Sequence, residues 1–188
     1  GCLTDVSTFI ERAEEACEIQ TEPGLNYSKG LYDWYTCQPN SALRYFNNCR
    51  RDPEWGKQGV FNMVEICLNP DGDLPSELEM SETPDDIDVN TSRQVALKTA
   101  ERLLKELKPK TNNSLDNEAL NHKLLENFLL LATRQKSSIE KALNNLSSIA
   151  SQEEFKDNIG VIYGMAACYV MLKQGQRAKN HLKRICKN

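Results

Sequence analysis

One stretch limits what this chain can fold into more than any other: Asn26 to Trp55, NYSKGLYDWYTCQPNSALRYFNNCRRDPEW. It reads as two short amphipathic helices joined by a tight turn. Gly30 is a small residue inside the first helix. Ala42, Phe46 and Cys49 follow on the second as small, aromatic, small, spaced four then three. Small residues let two helices approach closely, and the aromatic ring fills the gap between them. Pro53 closes the unit. Such a pair cannot bury its apolar face alone, so neighbours with the same pattern must stack on it.

The rest of the chain carries that pattern. Val6, Ile10 and Ala13 repeat the second-helix spacing, so the chain opens halfway through a repeat. Val60, Met63, Val64 and Cys67 form a first-helix stripe. Ala96, Ala100 and Leu103 form the next second-helix face, extended by Leu104 and Leu107. Ala142, Leu146 and Ile149 give another, and Ala178, Leu182 and Ile185 the last. Ile162, Met165, Ala166 and Tyr169 fit a first helix with Ala in place of Gly. Gly30 to Ala42, Leu130 to Ala142 and Ala166 to Ala178 are each 12 apart. This is the logic of the tetratricopeptide repeat. The expected fold is all-α: a right-handed superhelical solenoid of antiparallel helix pairs, about four and a half repeats over residues 1–188. Thr91 and Ser137 are read as starts of capping boxes for the helices that follow them.

Two segments interrupt the pattern. From Gln58 to Ser92 there are nine acidic residues and no Lys or Arg. Residues 70–90 are expected to be an acidic, disordered insert between the two helices of one repeat. Residues 110–117 read as a polar linker.

Enzymatic signatures are missing. No GxGxxG, P-loop, GxSxG or HExxH occurs. His122 and His181 are read as exposed helix residues without a ligand set around them. Asp71, Asp73, Glu79 and Glu82 fall at EF-hand-like offsets, but Ser76 stands where the turn glycine belongs. The expectation is no enzyme, no cofactor and no metal. Net charge is -4 and no apolar run is long enough to span a bilayer, so neither nucleic acid nor membrane insertion is expected. Seven cysteines (Cys2, Cys17, Cys37, Cys49, Cys67, Cys168 and Cys186) include no CxxC, and several fall on inner helix faces. That is the usage of a reducing, cytoplasmic compartment.

Two groups are candidate partner contacts. Trp34 and Tyr35 could anchor a peptide in the groove of the array, although packing of Trp34 between repeats is the plainer reading. Arg177, Lys179, Lys183 and Arg184 stand on the final helix. Asn158 to Asn188 holds six Lys/Arg and no acid. An acidic partner would fit there, and a solvated outer face explains the same residues.

Three stretches, YSKGLYDWYTCQPNSALRYFN, VFNMVEICLNPD and VALKTAERLLKELKP, with the tail GMAACYVMLKQGQRAKNHLKRI, resemble the tetratricopeptide repeat protein 21 family. The resemblance implies an internal fragment of a long solenoid in the intraflagellar transport A complex. It implies a scaffold role in retrograde ciliary transport and receptor delivery, at the cilium and basal body. The partners it implies are other subunits of that complex and adjacent repeats of the parent chain, and both ends are expected to continue into such repeats. A stand-alone peptide-binding adaptor or co-chaperone is the alternative. A carboxylate clamp would need Lys and Asn in order on successive first helices, where Phe61 and Glu65 stand instead.

Overall fold

The computed structural model describes residues 3–16, 22–68, 89–108 and 117–185. Most of the insert expected at 70–90, all four EF-hand-like acids and the linker up to residue 116 lie outside these residues. Among them are nine α-helices and no strand. They are α1 (Leu3–Ala16), α2 (Pro23–Tyr35), α3 (Pro39–Cys49), α4 (Gly56–Leu68), α5 (Val89–Glu106), α6 (Asn117–Ala132), α7 (Lys136–Ala150), α8 (Ile159–Met171) and α9 (Gly175–Ile185). The chain divides into two compact units, Gly1–Leu107 and Lys108–Asn188.

In the first unit α2 pairs with α3 and α4 with α5, α3 packs on α4, and α1 lies against α2. Gly30 on α2 and Phe46 on α3 come close together. A Cβ added to Gly30 would lie 2.7 Å from Cε1 of Phe46. Ala42, Phe46 and Cys49 are fully buried. The same helix face meets α4, where a Cβ on Gly59 would touch Cys49 Sγ at 3.1 Å. Phe46 sits in an aromatic cluster, 5.7 Å from Tyr27 and edge-on to Trp34 at 6.4 Å. On α5, Ala100, Leu103 and Leu104 are buried, as is Leu107 just past its end, while Ala96 is half-buried. Two ion pairs cross between helices: Lys29 with Glu14, and Arg50 with both oxygens of Glu106 at 2.5 and 2.7 Å. One nitrogen of Arg50, Nη2, donates to both oxygens, and such charge-assisted bonds are stronger than neutral ones. On α1, Val6 and Phe9 are exposed, and Ile10 and Ala13 half-buried.

In the second unit α6 pairs with α7 and α8 with α9, and α7 and α6 both pack on α8. The core holds Leu120, Leu124, Leu131, Ile139, Ala142, Leu146, Ile149, Val161, Met165 and Cys168. Ala166 and Ala178 are also buried. Tyr169 is half-buried and stacks on His181 at 5.3 Å. Leu182, read as part of the inner stripe, is 40% exposed. Its counterpart in α3, Phe46, is fully buried, its ring against Gly30, Tyr27 and Trp34 of α2.

Three hairpins turn the same way. Each has a three-residue connection whose middle residue is left-handed: Cys37 (φ 61), Arg134 (φ 57) and Lys173 (φ 61). In the first and last, the turn's third residue donates its N–H five residues back, Gln38 to Asp33 (2.7 Å) and Gln174 to Tyr169 (2.8 Å). This is the Schellman closure of a helix end. Each connection ends in Gln, whose carbonyl accepts the first bond of the next helix from Ala42, Ile139 or Ala178. Counted from these turns, the residue opposite Ala42 on α7 is Ile139, and the one opposite Gly30 on α6 is Asn127 rather than Leu130. Leu130 is half-buried and Asn127 buried. The small residue Ala142 therefore stands three positions farther from its turn than Ala42 does.

Buried amides lock two of these hairpins. Asn26 donates to the carbonyl of Glu22 (2.9 Å) and accepts from Asn48 across the pair (3.2 Å). Asn127 donates to the carbonyl of Lys123 (2.7 Å) and accepts from Asn145 (3.0 Å). Both buried amides are thereby satisfied.

Local expectations at four residues need correction. Thr91 lies inside α5, which starts at Val89, and Ser137 lies inside α7, which starts at Lys136, so neither opens its helix. The side-chain N-cap observed is Asn158 on α8, which accepts from the N–H of Val161 at 3.1 Å. His122 is 8% exposed rather than open to solvent, because α6 is covered on two sides; His181 is half-buried against Tyr169.

Candidate interaction surface

The candidate contacts fall at two separate places. Trp34 and Tyr35 end α2. Tyr35 is 68% exposed, and its ring stacks on Trp34 at 6.1 Å. Trp34 is half-buried, because its edge leans on Phe46. The pair thus joins one anchored ring and one free ring at the rim of a hairpin. Amphipathic rings placed in this way suit protein contact.

The basic group lies on α9. Arg177, Lys179 and Lys183 are exposed; the side chain of Arg184 lies outside the described residues. Arg177 is held rather than loose. It donates to Gln174 Oε1 at 3.0 Å and lies 5.9 Å over the ring of Tyr169. A shallow hollow of about 440 Å³ at the α8–α9 turn is lined by Lys173, Gln174, Gly175, Gln176 and Arg177. Five successive residues of the turn and the start of α9 make no apolar wall for a small molecule.

Titratable groups inside the units are tuned by burial. Desolvation pushes the thiols of Cys67 and Cys168 up to about 11 and raises that of Cys49. Burial also raises Glu65 on α4. Thiols of this kind pack as small apolar groups and are poor nucleophiles. Among the described residues no three His, Cys, Asp or Glu side chains come together as a metal site, and no helix is long and apolar enough to cross a membrane.

Sequence reasoning missed the exposed side of α8. Ile159, Tyr163 and Val170 are each more than half exposed. The signal was present: IGVIYGMAACYVM is apolar on every side, and a helix covered on one side needs only one apolar stripe.

Comparison with known proteins agrees with this arrangement. Residues 1–68 match a family described as the TT21 fifth ARM repeats domain. Residues 99–188 match the tetratricopeptide repeat protein 21 C-terminal ARM domain. The chain is 44% identical over 192 residues to tetratricopeptide repeat protein 21B of Homo sapiens. It is 37% identical over 191 residues to protein 21A of Mus musculus and 31% identical over 182 residues to the Caenorhabditis elegans homologue. The two mammalian matches take in the whole of this chain, and the nematode match 94% of it. The chain spans only 14% of the length of the mammalian relatives and 13% of the nematode one. Helix pairing, close-packed small residues and these matches converge: the chain belongs to the tetratricopeptide repeat protein 21 family.

Proposed function

We propose that this chain is a non-enzymatic scaffold segment of an intraflagellar transport A subunit. It serves retrograde ciliary transport and the delivery of receptors into cilia, working in the cytoplasm, at the basal body and in the cilium. The observation that carries the reading is the match to tetratricopeptide repeat protein 21B along the whole chain, on a fold of stacked helix pairs. Its partners are other subunits of the complex and adjacent repeats of its own parent chain. Tyr35 with Trp34, and the cations of α9, are the contact points proposed for those partners. The single array of about four and a half repeats, with the acidic segment as an insert in one of them, belongs to the same proposal.

A tagged chain expressed in ciliated cells, purified and analysed by quantitative mass spectrometry, tests this. Enrichment of transport-complex subunits is expected. Enrichment of chaperones with acidic C-terminal tails in their place would transfer the chain to the co-chaperone class.

A further inference from the structure

Nine of the thirteen residues of α4 are buried, and the four that remain, Lys57, Gln58, Phe61 and Glu65, fall on one edge. Lys57 and Gln58 are exposed at its start, and Phe61 and Glu65 are half-buried further along. Residues four apart share one side of a helix, so Phe61 and Glu65 are neighbours there. In the same unit α2 comes beside this edge. Asn62 accepts from Gln58 at 3.2 Å and donates to the Tyr27 hydroxyl at 3.4 Å. One turn further along each helix stand Leu31 on α2 and Glu65 on α4, and Trp34 and Tyr35 end the α2 side.

Three other acids of the first unit have cations: Glu14 has Lys29, Glu106 has Arg50 and Glu101 has Lys105. Among the described residues nothing donates to the Glu65 carboxylate or pairs with it, and burial alone pushes its carboxyl above the usual value. Lys57 opens the same edge eight residues earlier, about 12 Å along the axis. The adjoining sequence supplies no base: Gln58 to Ser92 holds nine acids, Glu65 among them, and no Lys or Arg. An unpaired carboxylate in such a place lowers the stability of the fold, and part of its desolvation is already complete in the free chain. A cation that arrives meets an anion held in place and partly dry, where charge pairing is stronger than at an open surface. A clamp for peptide carboxylates would present Lys and Asn. This edge presents Phe61 and Glu65, which select the opposite sign.

On the reading that this chain is a scaffold gripped by other subunits, we propose that the Phe61–Glu65 edge of α4 is a docking site for a lysine or arginine side chain borne on an apolar segment of another subunit. The incoming ammonium or guanidinium bonds the Glu65 carboxylate. Its aliphatic stem lies along Phe61, and the apolar residues beside it reach Leu31 and the Tyr35 ring.

Carbodiimide-coupled labelling of carboxylates, read at Glu65 by peptide mass mapping, tests this on three samples. They are the 188-residue chain alone, the full-length parent protein stripped of partners by high salt, and that protein with its partners bound. Glu65 should label in the first two and be protected in the third. Labelling in all three overturns the proposal. So does protection in either of the first two, because the cover would then belong to the parent chain itself. Glu65→Gln supplies the charge test. It should raise the thermal midpoint of the 188-residue chain and yet weaken the parent protein's affinity for the protecting partner about tenfold, with Glu65→Lys weakening it further. A folding defect would lower both together. Unchanged affinity with Glu65→Gln also overturns the proposal. Transport subunits recovered while Glu65 stays open would leave the scaffold reading standing and remove this site. Protection by proteins of another class would do the reverse.

Discussion

Gly30→Ala is the sharpest test of how the first hairpin is held together. The new Cβ would lie 2.7 Å from Cε1, 2.8 Å from Cδ1 and 3.0 Å from Cζ of Phe46. Phe46 cannot swing aside, because its ring is fully buried and flanked by Tyr27 and Trp34. Overpacking of this kind costs about 1–3 kcal/mol. Alanine in a helix interior returns up to about 1 kcal/mol over glycine. The net expectation is a loss of roughly 1–2 kcal/mol once both effects are counted. Gly175 at the start of α9 is the control, since a Cβ there meets nothing within 4 Å, so Gly175→Ala should be neutral or mildly stabilising. Urea titration followed by tryptophan fluorescence suits the measurement, because Trp34 and Trp55 both lie in the first unit and beside this contact. Adding Phe46→Leu to Gly30→Ala should cost less than the sum of the two changes. A Gly30→Ala variant as stable as the parent chain, or more so, would refute the close-approach argument.

Four further outcomes follow from the same geometry. Under native conditions a maleimide should modify exposed Cys37 and leave Cys67 and Cys168 untouched until urea unfolds the chain, as read by peptide mass mapping. Because the folded-state values of Cys67 and Cys168 are raised from 9.0 to about 11, their contribution is fully present below pH 9 and should decline as pH climbs from 9 toward 11, visible as a falling urea midpoint. Glu65→Gln should raise the thermal midpoint at pH 7, since burial disfavours the ionised carboxylate, and the gain should shrink once the pH drops below the usual glutamate range. Lys173→Gly should stabilise the second unit by up to about 1 kcal/mol by relieving a left-handed backbone, whereas Lys179→Gly inside α9 should cost about 1 kcal/mol, both from urea melts followed by circular dichroism.

Stripes were legible in the sequence, and the backbone geometry of the turns was not. Ala42, Phe46, Leu103, Ala142, Leu146 and Ala166 are buried where a period near 3.6 placed them, because a helix with one covered side must repeat its apolar residues at that period. The left-handed positions of the hairpin turns gave no signal, because they hold Cys37, Arg134 and Lys173 rather than glycine. Without that landmark the three-residue offset of Ala142 carries no sequence signal, and the 12-residue interval alone sets Leu130 against Gly30. Capping residues misled for a related reason. Backbone closure through Gln38, Gln135 and Gln174 starts three of the helices, so Ser137 did not mark an end. His122 stands between polar Asn121 and Lys123, and only the covering of α6 on two sides buries it. The α8 face was hidden by its own richness, since thirteen mostly apolar residues satisfy a core stripe and an exposed one equally well.

The central claim is that this chain works by holding a stacked helical fold that other subunits grip. Ala42 is 0% exposed, at the contact of α2 with α3, so Ala42→Trp in the full-length parent protein should disrupt the first unit and leave its surface chemistry otherwise unchanged. Quantitative affinity purification from ciliated cells, comparing Ala42→Trp with Lys183→Ala and the unaltered protein, measures the claim directly. The account predicts that transport-complex subunits are recovered equally with the unaltered protein and Lys183→Ala, and are depleted with Ala42→Trp. Full recovery with an Ala42→Trp protein shown by limited proteolysis to be opened in this segment would contradict it.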